Sequence, residues 1–244
     1  AAGVMGYLEG CGIRFDVGVT RVPIVCAAAL FDLAIGDHRV RPDRAMGHRA
    51  CLAAGGGPVV QGSDGAGAGA TIGKIRGMDR AMKSGLGASA LAVGELRIGA
   101  VVAVNCLGDV IDPQAGRTIA GLLADDRRSL ADTEAVMVAA AGTPINLFSS
   151  NTTIGVVATN GVFSKAQLTK LASMAQNGLA RTQRPAHSMF DGDTIFALST
   201  GGVRADLSTT GMLAARVVER AVIAAVVQAS SLCGLPCHAD LAGS

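Results

Sequence analysis

The chain has no tryptophan, one tyrosine and six phenylalanines in 244 residues, and only 16% of it is charged. So few rings leave little on which unpaired bases can stack, and a formal net charge of +2 makes no field for a phosphate backbone. Nucleic acid is therefore not an expected partner. The low hydrophobicity and high net charge that mark disorder are also missing, because half of the residues are hydrophobic. No run of about 18 apolar residues goes uninterrupted, and the longest candidate, 211–230, carries Arg216, Glu219 and Arg220. No membrane span is expected. The opening stretch has no basic start ahead of an apolar segment and includes Glu9, so no secretory leader is expected and a cytoplasmic location is.

What the chain does have is apolar material for one large α/β-type domain or two small ones, and 33 glycines. Six cysteines, Cys11, Cys26, Cys51, Cys106, Cys233 and Cys237, are scattered mostly among Ala, Val and Leu and read as reduced core thiols. Cys233 and Cys237, followed by His238, have no second ligand pair elsewhere, so neither a metal nor a cofactor is expected.

Along the chain, the spacing predicts the tail of a helix over 4–10, a strand within the apolar run 22–33, and a helix over 43–53 capped by Asp43. The pattern from Ala88 to Asn105 predicts a hairpin hinged near Gly94 or Gly99. The polar segment 114–134 reads as a solvent-facing loop with some helix. A buried strand is expected over 153–159, then a helix over 164–182 with Leu168, Leu171, Ala175 and Leu179 on one face, closed by Pro185. A strand over 194–199 and a long apolar helix over 212–230 complete the order. With one antiparallel pair among mixed elements, this is an α+β layered fold.

The glycine-dense stretch 55–73 is suited to close backbone approach. Gly65-Ala66-Gly67-Ala68-Gly69-Ala70 fits a loose dinucleotide fingerprint, with a short strand over 58–61 ahead of it and Glu95 beyond, but in a chain this rich in Gly and Ala the match is weak. Gly73-Lys74 resembles the end of a phosphate-binding loop, yet Ala68 and Ile75 both break that motif.

The sharpest feature is Ser149-Ser150-Asn151-Thr152-Thr153 running into Ile154-Gly155-Val156-Val157-Ala158-Thr159-Asn160. A Thr at the mouth of a strand can attack the preceding carbonyl, and hydrolysis of the resulting ester leaves a free α-amine beside its own hydroxyl. One residue then supplies nucleophile and base, since an α-amine titrates at about 7.7–8.0 and is partly neutral near pH 7. The same residues also suit an ordinary β-favouring pair after a turn. Asp191 and Asp193, in Phe190-Asp191-Gly192-Asp193-Thr194, face one side of an extended backbone and can hold an ammonium or share a proton; they also suit a plain Asp-Gly turn.

Taken together, Val22-Pro23-Ile24-Val25, Phe31-Asp32-Leu33, Gly65-Ala66-Gly67 through Gly73-Lys74, Val104-Asn105 with Leu107-Gly108-Asp109, the Asn151–Asn160 block and Phe190–Thr194 occur in an order that resembles the L-aminopeptidase/D-esterase family of N-terminal-nucleophile hydrolases, which includes β-peptidyl aminopeptidases and nylon-oligomer hydrolases. The resemblance implies a four-layer αββα sandwich. It also implies self-cleavage between Asn151 and Thr152, so that a single domain, 1–244, becomes associated chains 1–151 and 152–244. Thr152 is then the nucleophile, Lys74 a cation beside it, Asn105 a donor to the oxyanion, and Asp191 and Asp193 the acidic pair that completes the network. The implied substrates are small peptides, aminoacyl amides or esters, or amide oligomers, and the implied assembly is a homo-oligomer, a tetramer or larger.

Three departures accompany the resemblance. Family members carry further residues ahead of this chain's first, including a Gly-Gly-Ser segment that lines the site. Phe31 stands where many have Tyr, which removes a phenolic donor. Cys26 replaces a usual Pro, and Gly62-Ser63-Asp64-Gly65 replaces Gly-Asn-Val-Gly. Two alternatives share the motifs: an acyltransferase resembling ornithine acetyltransferases, and a truncated non-catalytic relative acting in binding or assembly.

Overall fold

Leu96, Ile98, Ala100 and Val102 are buried while Arg97 between them is exposed, and this period of two makes the strand against which the rest of the core is organised. The computed structural model describes residues 1–142 and 151–241. The chain divides into two units, Ala1–Ala29 with Asp37–Val59, and Leu30–Gly36 with Val60–Ser244.

The first unit holds helix α1 (Ala2–Gly10), the short antiparallel strands β1 (Phe15–Asp16) and β2 (Arg21–Val22), and helix α2 (Arg44–Ala53). Asp43 Oδ1 accepts from the Met46 N–H at 2.7 Å, the cap the sequence predicts. Tyr7 meets His48 edge-on across the two helices, with ring centroids 5.9 Å apart. The strand expected through 22–33 stops at Val22: Pro23 offers no N–H to a ladder, and Ile24 is exposed.

In the second unit the order is β3 (Thr71–Ile72), β4 (Met82–Lys83), β5 (Leu86–Val93), β6 (Leu96–Ala103), β7 (Asp109–Asp112), β8 (Arg117–Ala120), α3 (Thr133–Ala139), β9 (Ile154–Gly161), α4 (Lys165–Thr182), β10 (Gln183–Arg184), β11 (Thr194–Val203), α5 (Leu207–Val227) and α6 (His238–Leu241). A four-stranded sheet runs β11-β9-β6-β5, and β10-β7-β8 and β3-β4 form smaller ones. The expected hairpin is β5–β6, turning at Gly94 and Glu95. Helix α4 carries a full capping box, in which Ser164 and Gln167 satisfy each other's backbone N–H groups.

Helices α4 and α5 pack on each other and cover one face of the four-stranded sheet. Leu171, Ala175 and Leu179 of α4 join Leu213, Val217, Ala221 and Val222 of α5 over Ile98, Val102 and Val157, each buried Leu, Ile or Val side chain contributing about 1.5–3 kcal/mol. The approach is so close at Gly87 that a Cβ there would lie 1.9 Å from the Ala221 carbonyl oxygen, so no other residue fits. The opposite face, with Arg97, Val156, Leu198 and Thr200, is exposed.

Several expectations need correction. Segment 114–134 is solvent-facing only in part: 114–117 and 125–129 are exposed and helix α3 begins at Thr133, but the segment contributes β8 and 119–123 are buried, because the Asp109 carboxylate draws in the Leu122 N–H (2.7 Å), the Thr133 N–H (2.8 Å) and the Thr133 hydroxyl (2.7 Å). The last long helix starts at Leu207, five residues early, because Asp206 caps it by accepting from Thr209 N–H at 2.7 Å. Among the cysteines only Cys106 and Cys237 are buried, and Cys11, Cys26 and Cys233 are exposed. Among the described residues no helix is long and apolar enough to cross a membrane.

Strand register sets the site. Antiparallel pairing places Ala103, the end of β6, opposite Ile154, the start of β9, and parallel pairing places Thr194, the start of β11, opposite that same Ile154. Residues just past β6 and just before β9 and β11 must therefore meet at one sheet edge.

Candidate active site

At that edge Asn105 follows β6, Thr152 and Thr153 precede β9, and Asp191 and Asp193 precede β11. The ladder continues past the regular strands: the Thr194 N–H donates to Thr153 O at 2.8 Å, the Gly192 N–H to Asn151 O at 2.7 Å, and the Asn151 N–H to Phe190 O at 3.2 Å. Lys74 arrives from another direction. Gly73 and Lys74 donate their N–H groups to Gly108 O (3.0 Å) and Leu107 O (2.9 Å), which sets the lysine alongside Asn105. All five predicted site residues are thus brought together. Ser149 and Ser150, also in the motif, lie outside the described residues.

Thr152 is buried, and its hydroxyl lies 2.6 Å from the carbonyl oxygen of Asn151, the residue it follows. Its N–H donates to Asn105 O at 3.0 Å. Lys74 Nζ donates to the same oxygen and to Asn105 Oδ1, each at 3.0 Å. Oδ1 also takes the Thr71 N–H (3.1 Å) and hydroxyl (3.3 Å), which leaves the Asn105 amide nitrogen facing the other way, on Phe31 O at 3.3 Å.

The two carboxylates do different jobs. Asp191 accepts from the Leu107 N–H at 3.1 Å and from the Ser188 hydroxyl at 2.5 Å, tying the β11 approach to the segment after β6. Asp193 Oδ1 accepts from the Thr153 N–H at 2.9 Å, and its Oδ2 lies 3.1 Å from His187 Nδ1. Gln183 Nε2 donates to the Thr153 hydroxyl at 2.8 Å, so the second threonine is a structural anchor.

Electrostatics follow from burial. Lys74 is 5% exposed, not a solvated surface charge, and desolvation lowers its pKa to about 8 although Asp191 favours its charged form. Burial pushes the Asp193 carboxyl up, against the Thr153 N–H that favours its ionised form. It also holds the Cys106 thiol well above its ordinary value, which keeps the thiol protonated and out of nucleophilic chemistry.

Lys83 was not legible as a site residue. It is fully buried, and its ammonium donates to Gly67 O (2.7 Å), Ala70 O (2.9 Å) and Ser84 O (2.6 Å), pinning the glycine-rich stretch that leads to Thr71 and Lys74. Burial lowers its pKa to about 8, opposed by Asp32. The only signal was a lone charge between Arg80 and Glu95. The dinucleotide reading lacks its strand: 58–61 are irregular, and Gly65–Gly67 form a single 3-10 turn. A groove of about 440 Å³ on the open sheet face, lined by Ala92, Arg97 and Asn160, holds none of these groups.

The chain is similar to known proteins. Residues 1–239 match the model of peptidase family S58. An uncharacterized aminopeptidase of Mycobacterium bovis is 38% identical over 263 residues, covering 99% of this chain and 74% of that protein. A 6-aminohexanoate-oligomer endohydrolase of Agromyces sp. is 32% identical over 213 residues, covering 86% of this chain and 58% of that protein. Among solved structures, the L-aminopeptidase D-Ala-esterase/amidase of Ochrobactrum anthropi, described as a variant of the N-terminal-nucleophile hydrolase fold, superposes with a TM-score of 0.57 at 22% identity over 82% of this chain and 56% of that one. This chain therefore has that α+β fold, and it belongs to peptidase family S58.

Proposed function

We propose that the chain is a self-processing N-terminal-nucleophile hydrolase that cleaves amide or ester bonds of small aminoacyl, peptide or amide-oligomer substrates through an acyl-enzyme on Thr152. The observation that carries the reading is the Thr152 hydroxyl 2.6 Å from the Asn151 carbonyl oxygen, with the Thr152 nitrogen held on Asn105 O. Attack of the hydroxyl on that carbonyl, followed by hydrolysis, yields chains 1–151 and 152–244.

The freed α-amine then takes the hydroxyl's proton when substrate is attacked. Lys74, on the same Asn105 oxygen, disfavours a second ammonium there and so keeps the amine available as a base. Asn105, its amide oxygen held by Thr71 and Lys74 and one N–H on Phe31 O, offers its second side-chain N–H to the substrate's oxyanion. Asp191 and Asp193 hold the two strand mouths in register. The names of the Mycobacterium and Agromyces relatives support aminoacyl and amide-oligomer substrates respectively.

The test is release of amine from aminoacyl anilides and from 6-aminohexanoate oligomers. Wild type and Thr152→Ser are expected to turn over and Thr152→Ala to be inert. Equal turnover by Thr152→Ala contradicts the reading.

A further inference from the structure

Self-processing needs a donor on the Asn151 carbonyl oxygen, and the hydrogen bond that the Asn105 amide nitrogen makes is to Phe31 O at 3.3 Å. A different group meets the Asn151 oxygen. The Gly192 N–H points at the Asn151 carbonyl oxygen at 2.7 Å, within a parallel bridge in which Asn151 pairs with Asp191. The Thr152 hydroxyl reaches the same oxygen at 2.6 Å. The segment is anchored on both sides of the donor, Asp191 to Leu107 and Ser188, and Asp193 to Thr153.

Glycine at this position has a second consequence. A Cβ on residue 192 would lie 3.0 Å from the Thr152 hydroxyl oxygen, so a side chain there would crowd the nucleophile.

Resting on the self-processing reading above, we infer that the Gly192 backbone N–H is the catalytic oxyanion donor for cleavage of the Asn151–Thr152 bond. In the step it serves, the Thr152 oxygen bonds to the Asn151 carbonyl carbon, and charge builds on the carbonyl oxygen against the Gly192 N–H. The C–N bond then breaks, the proton lost by the hydroxyl ends on the departing Thr152 nitrogen, and water hydrolyses the ester to the Asn151 carboxylate and the free hydroxyl. No other residue's side chain is consumed, so a side-chain scan would miss the donor.

The test is to install glycolic acid at position 192 of the full chain, which turns one amide into an ester and deletes the N–H while leaving the shape. Appearance of the fragment beginning at Thr152 is expected to slow by about 10²–10³-fold, as for loss of one oxyanion donor. Processing at the wild-type rate overturns the inference. A wild-type chain that never releases that fragment overturns the self-processing reading instead. A second readout is independent of cleavage: in Thr152→Ala carrying a ¹³C-labelled Asn151 carbonyl, the infrared C=O band is expected at higher wavenumber with the 192 ester than with the amide. An unmoved band overturns the contact itself.

Discussion

The Thr152 N–H and the Lys74 ammonium share one acceptor, the main-chain carbonyl oxygen of Asn105, each at 3.0 Å. The nitrogen that would depart in the proposed self-cleavage is therefore already beside a buried cation. The arrangement follows from two backbone registers, β6 against β9 and 73–74 against 107–108, and not from any local motif.

Lys74 makes stability depend on pH in a defined direction. Its pKa is about 8 in the folded chain against an ordinary 10.5, so between these values the unfolded chain binds more protons and stability rises with pH. Subtracting the unfolding free energy of Lys74→Met from that of wild type isolates the effect from Lys83, which titrates in the same window. The difference is expected to move in favour of wild type by about 3 kcal/mol from below pH 8 to above pH 10.5, at ~1.4 kcal/mol per pH unit. Urea titrations across this range check it.

Lys83→Met removes one donor from three carbonyls at 2.6–2.9 Å. A loss of roughly 1–3 kcal/mol in unfolding free energy is expected. Because Ala70 precedes Thr71, which orients Asn105, turnover is expected to fall as well in protein that remains folded by circular dichroism.

At Asp193 charge and hydrogen bond can be separated. Asp193→Asn retains an acceptor for the Thr153 N–H and removes a carboxylate whose ionisation burial disfavours, so unfolding free energy is expected to change little. Asp193→Ala orphans that N–H and is expected to cost about 1–3 kcal/mol. Both are expected to slow appearance of the Thr152 fragment, as read on a denaturing gel.

Local signals carried much of this molecule. The pattern over 88–105, the apolar face of 164–182, the Asp43 cap and the β-branched run after Thr153 all predicted their elements because each is decided within a few residues. The five residues of the predicted site were legible through their motifs, and strand register explains why Asn105, Thr152, Asp191 and Asp193 converge. What depends on distant partners was hidden. Segment 114–134 looks solvated because Asp125 to Arg128 dominate its composition, while its burial is set by Asp109. Lys83 and Thr71 act through backbone carbonyls and a neighbouring amide, which leave no pattern in sequence. The early start of α5 turned on one Asp206 cap ahead of the apolar face.

The most direct test is intact mass spectrometry with N-terminal sequencing of freshly purified and incubated full-length protein. The account predicts two chains, one beginning at Thr152, whose masses sum to that of the 24.4 kDa chain plus one water. A folded protein that persists as a single uncut species, with no new N-terminus at Thr152, contradicts it.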